Sequence, residues 1–278
     1  MPTWRRLTES FVIALSAVAV LAPSATAAVG RELKTISPTP SGNGRAIMVR
    51  PGSSIGYFTF EGSQNPIYKL DMRTGKPVGR LTTDLRAACH CSANADFGFG
   101  ALSWQRSTGV LWGSEYGLGT GWIDKVNPQT GHVTRDFNAK RFDRNASDID
   151  GLAVDSDGTL WLSGDEALTL YHFSPRGRKL GSFNLPFANA GIAVDGNRLW
   201  LVDVPDNAVW AYTKRGQPIP GLLFSIVNDI PYPEGISIDP CTFRGKKAIW
   251  VYSAGTGQEM AAYRIGHSNN RGCSSAKT

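Results

Sequence analysis

The sequence predicts an all-β fold of the β-propeller type, on three observations. A strand–turn–strand phrase recurs, the repeat period is tens of residues, and turn residues punctuate short apolar runs. The phrase occurs as Ala101-Leu102-Ser103-Trp104 with Val110-Leu111-Trp112, and as Gly151-Leu152-Ala153-Val154-Asp155 with Leu160-Trp161-Leu162. It returns as Gly191-Ile192-Ala193-Val194-Asp195 with Leu199-Trp200-Leu201, and as Gly235-Ile236-Ser237-Ile238-Asp239 with Ile249-Trp250-Val251. Repetition on that scale means stacked supersecondary units, and units built only of short strands read as propeller blades.

In chain order, the first element is a leader. Arg5 and Arg6 precede an apolar run over 11–21, and Ala25-Thr26-Ala27 offers small residues for cleavage. That layout predicts a secretory signal peptide over 1–27, with an apolar core too short to span a bilayer. The mature chain is expected to be secreted, with no membrane span after cleavage. Of the 278 residues, roughly 250 then remain, enough for one propeller domain over 28–266 and a polar C-terminal tail over 267–278. The formal charge of +6 includes Arg5, Arg6 and Glu9. The remaining basic residues are scattered among turns. No Lys/Arg cluster with interleaved aromatics occurs, so a nucleic-acid partner is not expected.

Five units follow, beginning near Ala46, Gly98, Asp148, Ala188 and Pro233. The third shows its four strands most clearly: 151–155, an Asp157-Gly158 turn, 160–163, 168–173 and 180–185. The fourth repeats this at 192–195, 199–202, 208–212 and 218–224. Asp-Gly, Gly-Asn and Arg-Gly pairs supply positive φ at these turns at low steric cost. The fifth unit has only three strands before the chain turns polar. A strand at 31–36, ahead of the first unit, is expected to complete it and so pair two open edges. Five blades closed by an N-terminal strand are therefore expected. The alternative is a six-bladed ring with a degenerate blade in 34–60 or 80–96.

Alternation of strand direction sorts the loops onto two faces. Blade-entry loops carry Asp96, Asp148, Asp150, Asn189 and Glu234. Loops between second and third strands, on the same face, carry Gln64, Asn65, Ser114, Glu115, Asp165, Glu166, Asp203, Asp206, Asn207, Gln258 and Glu259. Binding groups are expected among these residues, because loops on a rigid scaffold are where function varies. Asp155, Asp195 and Asp239 end first strands and are read as turn formers. Trp112, Trp161, Trp200 and Trp250 are read as packing between blades.

Four cysteines in an exported chain suggest disulfides. Cys241 follows the first strand of the fifth unit, and Cys273 follows its third, both on the face opposite the entries. A Cys241–Cys273 bridge is expected. Cys89-His90-Cys91 leaves three readings open: a tight disulfide, zinc ligation, or free thiols.

Asp150 and Glu234 immediately precede Gly151 and Gly235, in the same phase of two blades. Both carboxylates are thus expected at the channel mouth, with Asp148 two residues from Asp150 on the same side. A hard cation needs several converging oxygens, and this arrangement supplies some. The run Asp150-Gly151-Leu152-Ala153-Val154-Asp155-Ser156-Asp157-Gly158-Thr159-Leu160-Trp161 resembles the blade motif of the gluconolactonase / senescence-marker-protein family. It is also similar to NHL-repeat propellers, as is Leu199-Trp200-Leu201-Val202-Asp203 with Asn207 and Val209. The resemblance implies a divalent cation in the channel, Ca²⁺ foremost, with Asp150 as a ligand. The family's early Glu-Gly-Pro and middle-blade Asn-Gly-Leu phrases have no match here. Asn189 lies close to the place of the second, and Glu234 would substitute from the last blade.

The expected function is a metal-dependent hydrolase of a lactone or ester at the central channel. Asp150, Glu234 and Asn189 would hold the metal, and Asp203 or Asp148 would be the general base. The alternative is a non-catalytic extracellular propeller that binds a carbohydrate, another small molecule or a protein partner, with Trp122, Tyr116 and Tyr232 as stacking surfaces. No Gly-x-Ser-x-Gly elbow is present, which argues against that class of serine hydrolase.

Overall fold

The computed structural model describes residues 28–62, 66–91, 97–117, 119–141, 148–226, 230–255 and 258–273. The expected signal peptide at 1–27 and the loop candidates Gln64, Asn65 and Asp96 lie outside the described residues. Among the described residues nearly everything regular is strand, and no helix is long and apolar enough to cross a membrane. The exceptions are a short helix α1 (Leu85–Cys89) and a 3₁₀ turn (Ala139–Arg141).

One four-stranded antiparallel meander comprises β2 (Gly44–Val49), β3 (Ile55–Phe60), β4 (Pro66–Asp71) and β5 (Lys76–Thr82). The next comprises β6 (Gly98–Gln105), β7 (Val110–Tyr116), β8 (Trp122–Val126) and β9 (Val133–Asn138). A seven-stranded sheet then runs through β10 (Ile149–Val154), β11 (Leu160–Gly164), β12 (Ala167–Phe173), β13 (Lys179–Asp195), β14 (Arg198–Asp203), β15 (Ala208–Thr213) and β16 (Pro218–Ser225). It is two meanders sharing a strand. The 17-residue β13 pairs with β12 through its first part and with β14 through its last. The final sheet holds β17 (Pro233–Asp239), β18 (Lys246–Ser253) and β19 (Met260–His267), with β1 (Glu32–Ile36) from the other end of the chain against β19. Glu32 lies opposite Tyr263 and Ile36 opposite Met260, which covers the β19 edge.

The innermost strands contact one another in a closed cycle: β2 with β6, β6 with β10, β10 with β13, β13 with β17, and β17 with β2. One apolar cluster sits at each of these seams. Trp112 packs with Leu152 and Leu160, Trp161 with Leu199 and Tyr212, Trp200 with Ile249 and Tyr263, and Trp250 with Phe58 and Leu70. At the seam between β2–β5 and β6–β9, Tyr57 fills that place beside Phe99 and Leu111. Flat aromatics at equivalent second-strand positions fill the wedges between splayed sheets.

Polar links cross the same seams. The Thr59 hydroxyl donates to the Phe99 carbonyl at 2.7 Å, that of Ser114 donates to the Ile149 carbonyl, and Asn189 Nδ2 donates to Ser163 Oγ at 2.7 Å. On the opposite face Lys214 pairs with Asp155, and Lys247 with Asp195 at 2.7 Å. Asp239 accepts the N–H groups of Cys241 and Thr242 and the indole N–H of Trp250. The aspartates that end first strands are thus committed to turns and seams. Both cysteine pairs are bridged, Cys241 to Cys273 and Cys89 to Cys91.

Candidate functional site

Every innermost strand begins with the same irregularity. In the pairings β2–β3, β6–β7, β10–β11, β13–β14 and β17–β18, the inner strand carries one residue more than its partner near its entry. A β-bulge of this kind leaves the extra residue unpaired and re-aims its side chain. The bulged positions are Arg45, Gly100, Asp150, Ala190 and Glu234. The ring of inner strands therefore presents two carboxylates, one guanidinium and two nearly absent side chains at one mouth of the channel.

The Arg45 guanidinium lies among the acids. Its Nη1 is 3.3 Å from Glu234 Oε1 and 3.6 Å from Asp150 Oδ2, and its Nη2 is 3.6 Å from Glu61 Oε2. Nη2 also donates to the Tyr116 hydroxyl, while Cζ sits 4.1 Å over the Tyr116 ring. The Asp150 side chain is 1% exposed. Gly100 makes room for it: a Cβ there would stand 2.5 Å from Asp150 Oδ1. Asp165, in the turn after β11, completes the group. Asp150, Asp165 and Glu234 each offer a carboxylate oxygen within 4.8 Å of the others.

This acid excess is not neutralised. Both oxygens of Asp150 and Oε2 of Glu234 are buried and make no hydrogen bond among the described residues, as does Arg45 Nε. Burial, with the Glu234 and Asp165 charges, pushes the Asp150 carboxyl well above the usual range, against the pull of Arg45. Burial lifts Glu234 to about 8, where Asp165, Glu166 and Glu61 add to the rise and Arg45 opposes it. Tyr116 is pushed up to about 12 by burial, with Arg45 opposing and Asp150 and Glu61 assisting. Arg45 is itself held above its usual value; burial lowers it, but the surrounding carboxylates outweigh that.

The sequence-based candidates divide on this geometry. Asp150 and Glu234 come together. Asn189 is fully buried and spends its amide on structure, donating to Ser163 Oγ and accepting the Val202 N–H at 3.0 Å. Asp203 accepts the Asp206 N–H at 3.2 Å and the Trp210 indole N–H at 3.0 Å, so each oxygen is engaged. Asp148 accepts the Gly119 N–H at 3.1 Å, and its carbonyl takes the Asp165 N–H. Among the stacking candidates, Tyr116 lies under Arg45, Trp122 is covered by Arg135 and Arg141, and Tyr232 is 67% exposed. Arg45 and Glu61 are absent from the sequence-based candidates. The signal for Arg45 is its register: it occupies in the first sheet the position of Asp150 and Glu234 in theirs.

Beneath Asp150 the channel narrows to a tiny void walled by Ile47, Leu102, Leu152, Ile192 and Ile236. This apolar collar separates the carboxylate mouth from the other end of the channel.

No protein-family model and no curated protein sequence matches the chain. Solved structures do. A glutaminyl cyclase from Myxococcus xanthus aligns with TM-score 0.59 at 11% identity, over 86% of this chain and 99% of that one. A calcium-binding protein, regucalcin, from Agrobacterium tumefaciens aligns with TM-score 0.55 at 14% identity, over 87% and 98%. A PQQ-bound aldose sugar dehydrogenase from Streptomyces coelicolor aligns with TM-score 0.50 at 10% identity, over 84% and 97%. At such identities the likeness is one of fold alone. With the cyclic packing of its inner strands, it makes this chain a β-propeller.

Proposed function

We propose that the chain is a secreted five-bladed propeller whose bulge-borne carboxylates hold a divalent cation and act on an ester or lactone at the channel mouth. The five-blade reading takes the shared β13 as serving two blades and β1 as the strand that closes the ring. Export of a propeller over 28–266, released from a leader at 1–27 and ending in a tail at 267–278, is part of the proposal. Two disulfides are compatible with an oxidising compartment.

One observation carries the cation: three carboxylates, Glu61, Asp150 and Glu234, surround one guanidinium, Asp165 offers an oxygen within 4.8 Å of those of Asp150 and Glu234, and three buried oxygens lack a hydrogen bond among the described residues. Uncompensated buried charge is costly, and converging hard oxygens suit Ca²⁺. Asp150, Glu234 and Asp165 would be the ligands, with Asp165 in place of Asn189. Bound there, the cation would supply Lewis-acid polarisation of a carbonyl oxygen. The chain's own groups do the rest. Glu234, raised to about 8 by burial in the metal-free chain, would be held in its ionised form by the cation. Asp148, oriented by the Gly119 N–H, is the retained general base, because Asp203 has both oxygens committed. Arg45 and Tyr116 fix the carboxylates, and the apolar collar keeps the reacting group at the mouth. Regucalcin, a neighbour in fold, is a calcium-binding protein.

Thermal unfolding with Ca²⁺, Mn²⁺ or Zn²⁺ tests the cation. A ligand at 100 times its Kd stabilises by about 2.7 kcal/mol, and Asp150→Asn with Glu234→Gln should abolish the gain. Hydrolysis of chromogenic esters and lactones tests the reaction. If no cation moves the transition, the second reading takes over: a binding propeller using this mouth, for which the exposure of Tyr232 speaks.

A further inference from the structure

The opposite end of the channel is not a second opening of the same site. Below the collar lies a separate chamber of about 300 Å³ with walls from all five inner strands and their first turns. Leu102, Trp104, Leu152, Ile192 and Ile236 give it an apolar lining. Its volume is at the small end of ligand pockets.

Apart from Asp155, which Lys214 matches, the polar side chains of this chamber can donate. Ser103 Oγ accepts the Val154 N–H at 2.9 Å, and Ser237 Oγ accepts the Val49 N–H at 2.8 Å. Each hydroxyl therefore keeps its own proton, for which no acceptor exists among the described residues. Arg106 stands at the rim with no ion pair among the described residues, and Arg50 lies 5.1 Å over the Trp104 ring. The carboxylates of this face are already matched: Asp155 by Lys214, Asp195 by Lys247 and Arg198, and Asp239 by three N–H groups. The two mouths thus have opposite polarity, acids above the collar and spare donors below it.

We propose that the lower chamber is a second binding site, for a small molecule with a flat apolar body and one carboxylate. The body packs against Trp104 and the aliphatic lining, and the carboxylate takes the Arg106 guanidinium and the Ser103 hydroxyl on the same hairpin. This assignment does not depend on the cation reading of the other mouth.

The probe is 2-naphthoate, with uncharged 2-naphthamide as its isostere, titrated calorimetrically into the folded full-length mature protein. Saturable one-to-one binding of naphthoate is expected. Arg106→Gln, at an exposed rim position, should weaken naphthoate by about tenfold, the scale of one charge-assisted contact, and leave naphthamide unchanged. Ile238→Trp, which fills the chamber, should remove both. Asp150→Asn and added Ca²⁺ should alter neither. Absence of saturable naphthoate binding to folded protein overturns the proposal, as does an affinity that Arg106→Gln leaves unchanged.

Discussion

Arg45 Nη1 meets Glu234 Oε1 at 3.3 Å across 189 residues of sequence. The pair joins the first inner strand to the last, and the same nitrogen lies 3.6 Å from Asp150. One guanidinium therefore ties three inner strands at the channel mouth. Removing one partner of such a buried pair typically costs about 3–5 kcal/mol, because the other charge is left uncompensated. Above about pH 8, where Glu234 is ionised, Arg45→Met is expected to lose stability on that scale in chemical denaturation without divalent cations. Added Ca²⁺ should then stabilise the variant more than the parent, since the cation replaces the missing positive charge. An Arg45→Met protein that melts like the parent and ignores Ca²⁺ contradicts this account.

The Glu234 carboxyl makes stability depend on pH in a direction opposite to that of a salt-bridged surface acid. Its folded value near 8 lies above its ordinary value of 4.5, so between these the folded state holds a proton that the unfolded chain has released. Stability from this group is complete below about 4.5 and is lost as pH rises to about 8. Asp150, raised in the same direction, adds to the fall. Urea midpoints between pH 5 and 8 should decline in the metal-free protein, and Glu234→Gln should flatten the curve. A saturating cation should flatten it too, by favouring the ionised carboxylates.

How much of this was legible in the sequence follows from what the repeat encodes. The apolar first strand, the Asp that ends it and the packing Trp recur because each seam needs the same wedge filled and the same turn closed. Their recurrence revealed the propeller. The first sheet carries the same plan in different residues: Tyr57 does the work of Trp, and Gly44-Arg45-Ala46-Ile47 lacks both the Gly after the bulge and the closing Asp. Arg45 therefore escaped, although it stands in phase with Asp150 and Glu234. Asn189 failed as a ligand for a different reason. Sequence places it near the mouth, but only the hydrogen bonds reveal that Ser163 and Val202 consume its amide.

Asn189 accordingly separates a structural from a ligating role. Asn189→Ala leaves the Val202 N–H and the Ser163 hydroxyl without their partner in a buried seam. Each unsatisfied group costs about 1–3 kcal/mol. The transition should fall by several degrees while the Ca²⁺-dependent gain in melting temperature stays at its parental size. Loss of that gain, with stability intact, would show that the amide ligates the cation after all.

Gly100 offers the converse case, a residue without functional atoms that the site nonetheless requires. A Cβ at Gly100 would stand 2.5 Å from Asp150 Oδ1 and 2.8 Å from the Ile149 carbonyl oxygen. The second of these is backbone and yields little, so the carboxylate or the bulge itself must shift. Overpacking of this kind costs about 1–3 kcal/mol. The larger effect should fall on function, because Asp150 would be pushed out of line with Glu234 and Asp165. Gly100→Ala is expected to fold, by circular dichroism, and to lose most of its Ca²⁺-dependent stabilisation. Ala190, at the same bulge in β13, is the control: it already carries a Cβ, and Ala190→Gly should leave the cation response intact. Equal cation responses in Gly100→Ala and the parent would mean that the Asp150 carboxylate does not depend on the space at Gly100.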